Sequence, residues 1–260
     1  MLGTALIWTA RLAAIATVVT AVELLAVQRA FSEVGVFRWS VLRRDYTRAP
    51  RIVRSLADLA FSTGGTRGLV LVQLASGLAL PWLDRLPVAA LWPWLAVAST
   101  LLIAIRFRGT YNGGSDAMLL VVLIGLAIAT SGAPLVGLAY VAVQLVLSYF
   151  ISGTAKLRDH RWRDGTALSI MVGLPQYAVP VAAARVFSIP AIARGAGLGM
   201  LAFECLFPVA LVDERACVAM LGVAAVFHLV NAWVFGLNRF LWAWIAAFPA
   251  LIFWAERLRG

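Results

Sequence analysis

AMLLVVLIGLAIATSGAPLVGLAYVAVQLVLSYFISGTA, residues 117–155, carries no charged side chain from end to end. A helix needs about 20 mostly apolar residues to cross a bilayer, and this run has room for two. Ser131, Gly132, Ala133 and Pro134 interrupt it, a cluster of helix-breaking residues that separates one span from the next. The apolar residues are continuous rather than alternating, so the spanning element is a helix and not a barrel strand.

Further charge-free runs lie at 68–83, 86–105, 165–184, 216–238 and 240–255. With 62% hydrophobic and 13% charged residues, the 260-residue chain is far too apolar for a soluble domain. It reads as an all-α membrane protein, a polytopic bundle of about eight transmembrane helices. Their expected positions are 5–27, 67–83, 87–106, 117–131, 134–153, 195–211, 216–236 and 239–256. Pro175 and Pro180 make 166–187 a broken or re-entrant element. The first segment contains Arg11 and Glu23 and no small-residue cleavage site, so it is expected to stay in the chain. Residues 1–260 are expected to form a single transmembrane domain with no soluble domain.

Between the first two spans, residues 28–67 hold eight arginines. Within this connector FRWSVLRRDY and RIVRSLADLAF repeat apolar residues at helical spacing, as interfacial helices do. The formal charge of +10 points to anionic lipid headgroups as partners rather than to nucleic acid. Arg106 and Arg108 read as headgroup contacts of the same kind. The connector, the 106–116 loop and the 156–165 loop are all basic, which places that side in the cytoplasm. An integral, multi-pass protein of a bacterial-type inner membrane is the expected setting. Cys205 and Cys217 are too far apart for a redox pair or zinc site, and no metal is expected.

Polar residues at membrane depth are the functional candidates: Glu23, Gln73, Gln144, Glu204, His228 and Asn231. For each the alternative is an interhelical hydrogen bond that holds the bundle together. His228 and Asn231 are three apart and share a helix face. Asp116 opens a helix, where a carboxylate also serves as favourable capping electrostatics. Lys156 is the one lysine against 21 arginines. It shares a stripe with Tyr149 and Ser152. Desolvation at an apolar boundary disfavours the ammonium form and offers a general base. The other reading is a snorkelling headgroup anchor, a task that arginine performs as well.

YFISGTAKLRDHRWRDGTAL, residues 149–168, resembles the vitamin K-dependent gamma-carboxylase family and its bacterial relatives, the horizontally transferred transmembrane (HTTM) proteins. Tyr149, Phe150, Ser152, Gly153, Lys156, Leu157, Trp162 and Gly165 carry the match. FHLVNAWVFGLNRFLWAWIAAFPALIF at 227–253 resembles the family's late helix pair, and YNGGSDAMLL at 111–120 its asparagine-led motif. The resemblance implies that Lys156 is a catalytic base acting on a reduced, vitamin K-like quinone, with oxygen and carbon dioxide as co-reactants. It implies that His228, Asn231, Tyr149, Asn112 and Asp116 line or support the quinone pocket, with Trp162, Glu23 and Glu204 as further candidates. A peptide substrate or a soluble partner protein is the implied macromolecular partner.

The sequence departs from the family in two ways. Gly114 stands where carboxylases have histidine, and the soluble region that grips their peptide substrate is not expected after Gly260. The carboxylase lysine also faces the lumen, opposite to the side that the arginine count gives Lys156. Three functions therefore follow: a carboxylase-like enzyme that Lys156→Arg abolishes, a non-catalytic lipid- or quinone-binding subunit that tolerates it, or a transporter with a path lined by Glu23, Glu204 and His228.

Overall fold

The computed structural model describes residues 1–86, 88–107 and 113–258. The described residues form helices and turns, with no strand among them. In chain order the helices are α1 (Leu2–Ala26), α2 (Trp39–Leu42), α3 (Arg51–Phe61), α4 (Thr63–Ala79), α5 (Leu91–Arg106), α6 (Gly113–Thr130) and α7 (Pro134–Arg158). After these come α8 (His160–Arg163), α9 (Thr166–Val172), α10 (Val181–Phe187), α11 (Pro190–Leu206), α12 (Glu214–Phe235), α13 (Asn238–Ile245) and α14 (Phe248–Arg257). Among the described residues, five helical stretches are long and apolar enough to cross a membrane: α1, α7, α11 with its extension to Leu211, α12, and the α13–α14 pair.

The charge-free run 117–155 is a helical hairpin. Gly132 turns the chain at φ +104, and Pro134 opens α7 at the position where a missing N–H costs nothing. A side chain on Gly125 would collide with Val141, and one on Gly137 would collide with the Gly125 carbonyl oxygen. The two glycines thus let α6 and α7 touch backbone to backbone, the approach that small residues permit in apolar bundles. Around this hairpin α5 packs on α6, α4 on α5, α1 on α4, and α11 on α7, while α13 and α14 close against α1, α6 and α7. Two hydroxyls of α1 are satisfied locally: Thr17 donates to the Ala13 carbonyl at 2.7 Å and Thr20 to Ala16 at 2.8 Å.

Several boundaries differ from the sequence expectation. α4 begins at Thr63, before Arg67, because the Ser62 hydroxyl caps it by accepting from Gly65 N at 3.1 Å. α5 begins only at Leu91. The stretch 166–187 is two short helices, α9 and α10, separated by Pro175 and Pro180. The last span bends at Ala246–Ala247, just before Pro249 in the first turn of α14.

The 28–67 connector folds against the end of the bundle through Trp39, Ala57 and Phe61. Trp39 Nε1 and the Arg43 guanidinium each donate to Asp58 at 2.8 Å. Arg106 corrects an expectation. It is 1% exposed and is no headgroup contact. Its guanidinium donates to the Phe61 carbonyl at 2.9 Å and to the Phe37 carbonyl at 2.6 Å, and lies over the Trp39 ring. The Phe37 carbonyl lies where the connector is irregular and that of Phe61 at the end of α3, where the Thr66 hydroxyl also donates to it at 3.2 Å; buried carbonyls need donors, and a planar fork reaches both. Arg108 lies outside the described residues.

Candidate functional site

α7 and α11 come together at a glycine. A side chain on Gly153 would lie 2.8 Å from both Cys205 N and Glu204 Cβ. This approach brings the Glu204 carboxylate onto Lys156, one turn further along α7. Lys156 Nζ donates to Glu204 Oε1 at 2.5 Å, to Glu204 Oε2 at 2.7 Å and to Ser152 Oγ at 2.7 Å. Distances this short belong to charge-assisted bonds. The Ser152 hydroxyl in turn donates to Glu204 Oε1 at 3.4 Å. The carboxylate side chain is 3% exposed and that of the lysine 21%.

The chain beyond Lys156 turns back over the pair. Asp159 caps α8 by accepting from Arg161 N, and α8 carries Trp162, whose ring lies 5.5 Å from Nζ. Gly165 then adopts φ +87, a left-handed conformation that suits glycine. A side chain there would also strike the backbone of Arg194. Both glycines of the 149–168 motif are therefore contact glycines that seat α7, α8 and α9 on α11.

A cavity of about 210 Å³ opens beside the pair. Tyr149, Trp162, Phe227, Phe240 and Trp244 form aromatic walls, and Asn231 adds an amide. A second cavity of about 130 Å³ shares Trp162, Phe227 and Asn231 with it. A third, of about 560 Å³ between α6, α7 and α13, shares Ser152, Phe240 and Trp244.

The remaining candidates fall into three positions. Tyr149 is buried between Phe203, Phe207 and Trp244, with its Oη 2.5 Å from His228 Nε2. His228 is fully buried, does not line the cavity, and its Nδ1 has no partner among the described residues. Asn231 lines the cavity while its amide donates to the Phe227 carbonyl at 2.7 Å. Glu23 and Asp116 belong to a separate cluster: Arg239, from the start of α13, lies 3.1 Å from Glu23 Oε2 and 3.4 Å from Asp116 Oδ1. Asn112 lies outside the described residues. Gly114 faces the Phe240 ring, which a side chain at this position would meet at 3.2 Å. Gln73 donates to Thr100 Oγ1 at 2.9 Å, an interhelical bond of the bundle-holding kind.

Glu23, Glu204 and His228 thus sit in three separate pairings. Sequence reading singled out Glu204 without its partner and passed over Arg239. The signal for Arg239 was present, since it is the one charge between the apolar runs 216–238 and 240–255. Set against family models, curated proteins and solved structures, the chain matches none of them.

Proposed function

We propose that the chain is an integral membrane enzyme of the HTTM, gamma-carboxylase-like kind, an eight-span bundle whose Lys156–Glu204 pair handles the proton of a lipid-soluble quinol. The observation that carries this reading is the pair itself: the chain's one lysine, bonded to a buried carboxylate, on the wall of an aromatic-lined cavity. Ligand sites are concave and mostly apolar, with a few polar groups that fix orientation, and this cavity has that character.

A flat aromatic head fits between the Trp162, Phe227, Phe240 and Trp244 rings, with Asn231 and Lys156 as its polar contacts. A reduced quinone supplies, when bound, a hydroxyl with a removable proton and a ring that reacts with oxygen. The chain's own work is to bind the head, exclude water and take up that proton. An ammonium against a carboxylate, or an amine against a carboxylic acid, contains one proton fewer than the pair can hold. The pair therefore accepts a proton at Glu204 Oε or Lys156 Nζ and ends as an ammonium beside a neutral acid, facing the ligand's oxyanion. Tyr149, fixed by His228, forms part of the rigid floor.

The test uses the protein in nanodiscs with 2-methyl-1,4-naphthohydroquinone as probe. Oxygen uptake above that of empty nanodiscs is expected, and its loss in the double variant Lys156→Met/Glu204→Gln. One observation favours a second reading, a non-catalytic quinone-binding subunit: all three amine donors are already engaged. Probe binding without oxygen uptake would select that reading.

A further inference from the structure

We infer that Glu204 sets the charge selectivity of the Lys156 cavity, so that it takes an uncharged, hydroxyl-bearing lipid head and rejects anionic lipids. The inference rests on the reading of this cavity as a ligand site. Of the described residues that line it, Lys156 and Glu204 are the charged ones. Their charges cancel within 2.7 Å, and the remaining walls are aromatic, aliphatic or neutral polar.

A lysine alone in such a place would be an anion trap. A partly buried ammonium beside an apolar wall favours a counter-charge, and the fatty-acid carboxylates and lipid phosphates of any membrane offer one. Glu204 already fills that role from inside the protein, with both oxygens. A second anion reaching for Nζ would have to lie against the first in an apolar surrounding, where like charges repel strongly.

A neutral hydroxyl meets no such barrier, and the site contains a demonstration of the fit. Ser152 Oγ accepts from Lys156 Nζ at 2.7 Å while its hydroxyl donates to Glu204 Oε1 at 3.4 Å. A phenolic or alcoholic head that takes the place of the Ser152 hydroxyl makes the same two contacts, one accepted and one donated. An anion offers no proton to the carboxylate and so completes only half of the arrangement.

The experiment compares 2-naphthol with 2-naphthoate, which share a ring system and differ in charge, by calorimetric titration of the protein in nanodiscs at neutral pH. The expected result is at least tenfold tighter binding of 2-naphthol by the wild type. Glu204→Gln should tighten 2-naphthoate at least tenfold and invert the preference, and Glu204→Asp should keep it. Equal or stronger 2-naphthoate binding by the wild type overturns the inference and leaves the cavity's role as a ligand site standing; so does an unchanged preference in Glu204→Gln. If the wild type binds neither probe above empty nanodiscs, the ligand-site reading falls and the inference with it. The wild-type comparison can overturn the inference by itself, so the test stays decisive against it even where Glu204→Gln does not fold.

Discussion

Replacing Lys156 with methionine keeps the length and most of the volume of the side chain and removes its charge. Glu204, 3% exposed, then loses its bonds of 2.5 and 2.7 Å and retains the 3.4 Å contact from Ser152. Breaking a buried ion pair by removing one partner costs about 3–5 kcal/mol. Lys156 is 21% exposed, and the water that reaches it lowers the figure to about 3 kcal/mol. Glu204→Gln costs less, because the amide oxygen still accepts from the ammonium. In the double variant neither charge remains to be compensated, and most of the loss is recovered, leaving a coupling of about 2 kcal/mol.

Thermal unfolding in detergent, followed by the tryptophan signal, reads these numbers. At about 2–4 °C per kcal/mol for a chain of this size, Lys156→Met should lower the midpoint by roughly 6–12 °C, and the double variant by clearly less. A Lys156→Met midpoint within about 2 °C of wild type would refute the reasoning, as would single-variant losses that simply add. Either result means that the amine lies free in solvent and the carboxylate does not depend on it.

Three further outcomes are expected. Gly153→Ala places a carbon 2.8 Å from backbone at Cys205; restoring an ordinary contact near 3.5 Å parts α7 from α11 by about 0.7 Å at a cost of about 1–3 kcal/mol, measurable as a lower midpoint and weaker 2-naphthol binding. Arg106→Met orphans the Phe37 carbonyl and leaves that of Phe61 with the Thr66 hydroxyl alone at 3.2 Å, which costs about 1–3 kcal/mol, and limited trypsin digestion should show faster cleavage at Arg38–Arg54. Arg161 bonds to the Asp159 carboxylate through its side chain and its backbone, holding that exposed acid down at a pKa of about 2. Its contribution is thus present above the ordinary carboxylate range and is lost as pH falls from about 4 to about 2, so the midpoint difference between wild type and Asp159→Asn should disappear across that window.

Continuity of apolar residues is a one-dimensional signal, which is why the hairpin 117–155 and the late spans were legible from sequence. Helix starts were less so. Ser62 and Gly65 cap α4 ahead of Arg67, but a charge-free window cannot see past the arginine. The 149–168 motif holds Lys156, Ser152, Tyr149 and Trp162 on one local stretch of chain, and all four line the same cavity. Glu204 could not be joined to it, because the contact depends on Gly153 and the packing of α11, which sequence spacing does not encode. Arg106 misled for the opposite reason: its neighbours in sequence suggest a helix end at a lipid surface, and its actual partners are carbonyls contributed by the distant connector.

The buried arginines explain why a lysine stands at this one point. Arg106 spans two carbonyls from different parts of the connector, and Arg239 spans carboxylates from α1 and α6. In both places a wide planar fork ties separated groups together, so this bundle does not lack ways to bury a cation. The partners of Lys156 lie within one small arc, a serine one turn away and a single carboxylate, with open space on the other side. A compact ammonium meets all of them and leaves the cavity of about 210 Å³ free. A guanidinium would keep the pairing with Glu204 but extend into that space. Lys156→Arg should therefore hold stability to within about 1 kcal/mol of wild type, since paired charge is retained, and yet reduce 2-naphthol binding by tenfold or more. A headgroup anchor predicts the reverse insensitivity: stability and binding both unchanged, with arginine serving as well as lysine.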